Sequence, residues 1–160
     1  MGKAKERDEG GVFARNRKAL HDYEILETKE VGIELKGTEI KSIRKHHVSL
    51  DGSFARIEEG EVILYNMHVS PYEQGNRYNV EPLRTRKLLL HRREIERLRG
   101  VMTQQRVTLV PLKLYEKRGM AKIELALGRG RREYEKRDRI RKEESDRDLR
   151  QMLRQRQRGV

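Results

Sequence analysis

Five histidines, at positions 21, 46, 47, 68 and 91, are the side chains best suited to bind metal or move protons near neutral pH. Their spacing argues against both uses. His46 and His47 are adjacent, so on one helix their side chains diverge. His21, Asp22, Asp51 and His68 are scattered, with no H-x-x-x-H or D-x-D cluster. Exposed or RNA-facing histidines fit this pattern, and no metal is expected. There is no cysteine and no G-x-S-x-G, so no nucleophile, no catalytic residue and no cofactor are predicted. Gly128, Arg129 and Gly130 resemble a phosphate loop only superficially. They lead into arginines rather than an apolar helix, which reads as a hinge.

The chemistry the residues do suggest is polyanion binding. Arg84, Thr85, Arg86 and Lys87 put three cations in four residues, followed by Leu88, Leu89, Leu90 and His91. Such a segment can meet phosphates at several points while the leucines anchor it. A solvated loop beside a core strand is the competing reading. His91 lies three residues before Glu94, spaced like a capping box with His in place of Ser or Thr, so a helix cap competes with a ligand contact there. Arg17, Lys18 and His21 form a second basic segment running into a strand. Glu30, on the polar face of that strand, is either a solvent carboxylate or an acceptor for base amino groups.

The elements that must position these groups follow from periodicity. From Tyr23 to Leu35 apolar side chains recur at odd positions, which predicts a long half-buried strand with Gly32 at a bend or bulge. A short helix opens near Gly37, with Thr38 as N-cap and Ile40 and Ile43 on one side. Residues 54–58 and 61–69 flank Glu59 and Gly60 as a hairpin. Ile95, Leu98 and Met102 mark a helix over about 91–99, with Gly100 as its stop. Residues 107–115 and 120–127 form a last hairpin. The apolar parity of its first strand switches around Pro111, which predicts a bulge or an edge there. Five or six short strands with two or three helices predict a mainly β fold, a small barrel whose closure removes exposed edges.

Composition limits how much of the chain can join that barrel. Of 160 residues 34% are apolar and 40% charged, with no cysteine or tryptophan, so the whole chain cannot be one packed globule. There is no run of about 18 apolar residues and no apolar leader, so neither a membrane span nor a secretory signal is expected. The net charge of +12 divides as +3 over residues 1–20, +3 over 21–128 and +6 over 129–160. The expected layout is a disordered arm over 1–15, a barrel over 16–128 and a basic tail over 129–160 that is disordered when free. The tail is rich in Arg, Glu and Gln and favours helix once a partner is present.

The chain resembles a known family over about residues 15–140. The carriers are residues 16–23, the stretch Glu24-Ile25-Leu26-Glu27-Thr28 with Gly32, and Gly37-Thr38-Glu39-Ile40-Lys41-Ser42-Ile43-Arg44. Ser70-Pro71-Tyr72-Glu73-Gln74-Gly75-Asn76 and the segments 84–91, 109–115 and 130–137 extend the likeness. Together they resemble the small protein B family, the bacterial SsrA-binding proteins of trans-translation. The resemblance implies an oligonucleotide-binding (OB)-type antiparallel β-barrel without enzymatic activity. It implies binding to the tRNA-like domain of transfer-messenger RNA (tmRNA). That RNA would be delivered alanylated, with elongation factor Tu and GTP, to stalled ribosomes in the cytoplasm. A monomer is expected.

Residue by residue, Glu30, Leu89 and His91 match family RNA-binding positions beside the basic residues Arg84, Arg86 and Lys87. Gly130, Arg131 and Arg132 match a Gly-Lys-Lys segment that begins the tail. The tail is implied to enter the empty mRNA channel, become helical there and meet small-subunit rRNA at the decoding centre. Tyr134 falls where members carry a stacking side chain. Glu135, Lys136 and Arg137 match an Asp-Lys-Arg motif with a longer acid. A ribosomal protein or RNA chaperone with basic arms, and a metal-dependent ribonuclease, are the competing classes from composition.

Overall fold

The computed structural model describes residues 11–73 and 79–158, with the backbone alone for 132–139. The chain divides into two compact units at Gly130. In the first, β1 (Val12–Arg15) and α1 (Arg17–Asp22) precede β2 (Tyr23–Ile33) and α2 (Gly37–Arg44). β3 (Val48–Ser49), β4 (Phe54–Glu58), β5 (Glu61–Tyr65), β6 (His68–Val69) and β7 (Arg86–Leu89) follow. Then come α3 (Arg92–Gln104), β8 (Thr108–Lys117) and β9 (Met120–Gly130).

The neighbours β8-β4-β5-β7-β2-β9 close on themselves because β8 also pairs with β9. Six strands therefore form a ring with β1 added on β8, which is the barrel expected. β3 and β6 make a separate two-stranded sheet. The hairpin turns sit where the sequence predicts them. Glu59 and Gly60 have φ of 50° and 75°, and Arg118 and Gly119 have 51° and 78°. Two consecutive left-handed residues match the twist of the flanking strands. Asn66, with φ of 63°, ends β5, so the predicted strand over 61–69 is split.

The parity switch in β8 is a bulge. Pro111 faces Leu125 and Lys113 faces Glu124, leaving Leu112 as the extra residue. Leu109 and Leu114 both enter the main core with Val62, Leu64 and Ile123, while Val110 and Leu112 pack with Ala19 and Ala126. One strand thus serves two cores. Asn16 uses the same bulge: its N–H donates to the Leu112 carbonyl (2.7 Å) and its side chain to that of Pro111 (2.9 Å). Its Oδ1 also caps α1 through Ala19 N.

Several expectations change. Residues 12–15 are not part of a disordered arm: they pair with β8, Val12 facing Tyr115 and Arg15 facing Lys113. Phe13 and Ala14 pack on the core, and the pairing covers an otherwise open edge of β8. Residues 1–10 lie outside the described residues, as do Gln74, Gly75 and Asn76. Lys36, not Thr38, is the N-cap of α2, and its N–H donates to Glu39 (2.9 Å). Gly100 lies inside α3, which runs on to Gln104. Gly32 serves a close approach, since a Cβ there would lie 3.2 Å from the Cβ of Leu89. Gly128 is a paired strand residue rather than a hinge, opposite Thr108.

The second unit is one helix, α4 (Arg131–Arg158). Every residue from 140 to 158 is exposed, Leu149, Met152 and Leu153 included. The described part of this helix has no tertiary burial to stabilise it, and packing is what usually does so.

Candidate nucleic-acid interface

The basic segment at 84–87 splits between interior and surface. β7 alternates, with Arg86 and Leu88 facing in and Lys87 and Leu89 facing out. Arg86 is 1% exposed, and its guanidinium is fully engaged. Nε and Nη2 both reach Glu39 Oε2 (2.7 and 2.5 Å), Nη1 donates to the carbonyls of Met67 (2.7 Å) and Arg84 (2.9 Å), and Nη2 also donates to that of Pro82 (3.2 Å). Arg84 donates to the other Glu39 oxygen (2.5 Å). Burial alone would push the Glu39 carboxyl up. The hydrogen bonds from Arg84, the Lys36 N–H and Arg86 outweigh it and hold the pKa below the ordinary value. Arg86 is therefore corrected from a phosphate contact to a buried structural cation. Of the three predicted cations, Lys87 is the most exposed, with its side chain at 42% against 27% for Arg84. It pairs with Glu61 at 3.0 Å across the surface.

A cleft of about 810 Å³ gathers four of the predicted residues: Glu30 from β2, Lys87 and Leu89 from β7, and His91 before α3. Leu89 is 48% exposed, unlike the core leucine Leu88. His91 is the N-cap residue of α3 without a side-chain cap. Its carbonyl accepts from Glu94 N (3.0 Å) and Ile95 N (3.1 Å), and its exposed side chain lines the cleft. Backbone capping and a ligand contact are thus compatible at one residue. Glu30 accepts from the Tyr115 hydroxyl and from Lys117 Nζ (3.3 Å). The Tyr115 hydrogen bond is the chief reason its carboxyl lies below the ordinary range.

Ion pairs brace the walls. Lys29 pairs with Glu94, and Arg97 with Glu27 at 2.6 Å, both tying α3 to β2. The cleft mixes charges: Lys29, Lys87, Arg92 and Lys122 face Glu30, Glu59, Glu61, Glu94 and Glu96. Such a lining suits reading of base edges better than a phosphate channel.

Arg17, Lys18 and His21 do not line the cleft. They are exposed on α1, where Ala19 alone is buried. Lys29, Arg92, Tyr115 and Lys122 were not singled out in the sequence. Lys122 was legible as a polar residue on β9 alternating with Ala121 and Ile123, but its nearness to Glu30 was not. Among the described residues, no group of three or more His, Cys, Asp or Glu could hold a metal ion, and no helix is long and apolar enough to cross a membrane.

A family model described as SmpB protein matches residues 13–155. The chain belongs to the SmpB protein family. The SsrA-binding protein of Geobacillus thermodenitrificans is 58% identical over 149 residues, 93% of this chain and 96% of that one. The SsrA-binding protein of Caldicellulosiruptor saccharolyticus is 54% identical over 155 residues, 97% and 98% of the two chains. A solved chain described under "tmRNA-SmpB: a journey to the center of the bacterial ribosome" matches with a TM-score of 0.61. It is 57% identical and covers 72% of this chain and 82% of that one. As for the SmpB tail positions, Gly130 ends β9 and Arg131 opens α4. Arg132, Tyr134, Glu135, Lys136 and Arg137 follow in the helix, and their side chains lie outside the described residues.

Proposed function

We propose that this chain binds the tRNA-like domain of tmRNA through the cleft and brings the RNA to stalled ribosomes. The observation that carries the reading is the convergence of Glu30, Leu89 and His91, from β2, β7 and the start of α3, on one cleft in an SmpB family member. Glu30 accepts from base amino groups, His91 offers a polar edge contact, and Leu89 packs against an unstacked base. Lys87 meets phosphate, while Arg17, Lys18 and His21 on α1 extend the contact. Arg84, partly exposed beside Glu39, contributes mainly by holding its loop. The chain catalyses nothing. It acts as a cytoplasmic monomer, carrying alanyl-tmRNA in complex with elongation factor Tu and GTP.

The tail supplies the ribosomal half of the function. The helix that follows β9, exposed throughout its described part, enters the vacant mRNA channel and is held there, where the segment from Gly130 to Arg137, with Tyr134 for stacking, meets small-subunit rRNA at the decoding centre. A 28-residue helix extends about 42 Å, long enough to line part of a channel. Without packing such a helix is only marginally stable, and an anionic surface supplies the missing contacts.

Equilibrium binding of the tRNA-like domain, with an unrelated tRNA as competitor, tests the reading. Glu30→Ala, Leu89→Ala and His91→Ala should each weaken selective binding by roughly tenfold or more, as hot-spot truncations do. Unchanged affinity in all three would remove the cleft from the interface.

A further inference from the structure

A second hollow of about 340 Å³ adjoins the cleft, and Gly32, Leu89 and Lys122 line both. Its walls are apolar, built from Phe13 of β1, Ile33 of β2, Ile40 and Ile43 of α2, and Met120 and Ala121 of β9. Three large apolar side chains around it stay in water: Ile40 at 37%, Leu89 at 48% and Met120 at 59% exposure. Clustered apolar exposure of this kind marks a binding surface. Arg44 and Lys122 stand at its edge with one acid, Glu116, and α2 adds exposed Lys41. Gly32 is what lets Leu89 lie against β2 in the wall shared by the two hollows, because a Cβ would sit 3.2 Å from both its Cβ and Cδ1.

We infer that this groove seats an unstacked base of the bound RNA, with Leu89 parting it from a neighbouring nucleotide that faces Glu30 and His91 in the cleft. The inference rests on the RNA-binding reading above and adds a second, apolar subsite to it. A splayed nucleotide has two apolar faces with a phosphate on either side. An apolar groove edged by cations and continuous with a polar cleft complements that succession of groups. Inserted leucines part neighbouring bases in other nucleic-acid complexes in the same way. An apolar protein segment would match the floor of the groove but give its cations no anion.

The test uses the full chain and the tRNA-like domain of tmRNA. Ile40→Asn and Met120→Asn, singly and together, alter exposed side chains, and thermal melting checks that the fold is kept. The double variant should bind about tenfold more weakly, the loss of one stacked base. Its salt dependence should be unchanged, since no phosphate contact is removed. Normal affinity in the folded double variant overturns the groove while leaving the cleft standing if Leu89→Ala and His91→Ala still weaken binding. Loss in neither set removes the whole RNA face. Should the double variant melt early, a photocrosslinking side chain at position 120 decides the matter. A crosslink to an RNA base is expected, whereas one confined to residues 1–10 of the chain or to a second copy overturns the inference.

Discussion

Arg86 and Glu39 form a buried ion pair, 47 residues apart in sequence, with side chains 0% and 2% exposed. Glu39 enters from the first turn of α2 and Arg86 from the first residue of β7. The pair also gathers the carbonyls of Met67, Pro82 and Arg84 onto one guanidinium. It thereby fixes the strand that carries Lys87 and Leu89.

Breaking this pair should destabilise the barrel. Arg86→Ala leaves the buried Glu39 carboxylate with Arg84 but without its other cation, and strips three carbonyls of their donor; losses of this kind are about 3–5 kcal/mol. Chemical denaturation should show a matching fall in midpoint. RNA binding by the molecules that remain folded should keep its salt slope, because Arg86 cannot reach a phosphate.

The same carboxylate makes stability depend on acid. The Glu39 pKa is lowered in the fold, so its contribution is complete above the unfolded value of about 4.3 and fades as pH falls from there through the folded value. Denaturation midpoints should therefore drop on acidification below about pH 4. In Glu39→Gln that part of the slope should be missing, on a lower baseline.

Lys87 should behave in the opposite way to Arg86. Its partner Glu61 is half exposed, and surface pairs of this kind contribute little to stability. Lys87→Ala should melt like the parent. Its RNA affinity should fall, and the slope of log affinity against log salt should shrink by about 0.7–0.9. An unchanged slope would place Lys87 away from phosphate.

Tyr115 positions Glu30. Tyr115→Phe keeps the buried ring and removes only the hydroxyl that donates to Glu30. Affinity at neutral pH should fall by roughly two- to tenfold, the net worth of one hydrogen bond. Because that bond is the main cause of the lowered Glu30 pKa, the acid limb of binding should also move to higher pH. Titrations of affinity against pH for the two proteins check both effects.

Removing the tail should separate two activities. A chain ending at Gly130 should bind the tRNA-like domain as the parent does, because the cleft lies within the first unit. It should fail to support tagging on stalled ribosomes in a reconstituted translation assay. Tyr134→Ala should reproduce the second effect without the first.

Local backbone geometry made much of this fold readable from the order of residues alone. Alternation from Tyr23 marks β2, the Glu59 and Gly60 pair marks a turn, and the parity switch near Pro111 marks the bulge at Leu112. These features depend on neighbours within a few positions. β1 was missed because Val12, Phe13 and Ala14 are too short a run to show a period, and their pairing strand lies about 100 residues away.

The candidate site divides along the same line. Residue types and family likeness single out Glu30, Leu89 and His91, and the alternation of β7 turns Lys87 and Leu89 outward. Which cations meet solvent was decided only by tertiary structure. A buried charge needs a partner brought in by the fold, and nothing near Arg86 in the chain announces Glu39. The same holds for the cleft and its apolar neighbour, whose walls come from strands and helices that only ring closure brings side by side.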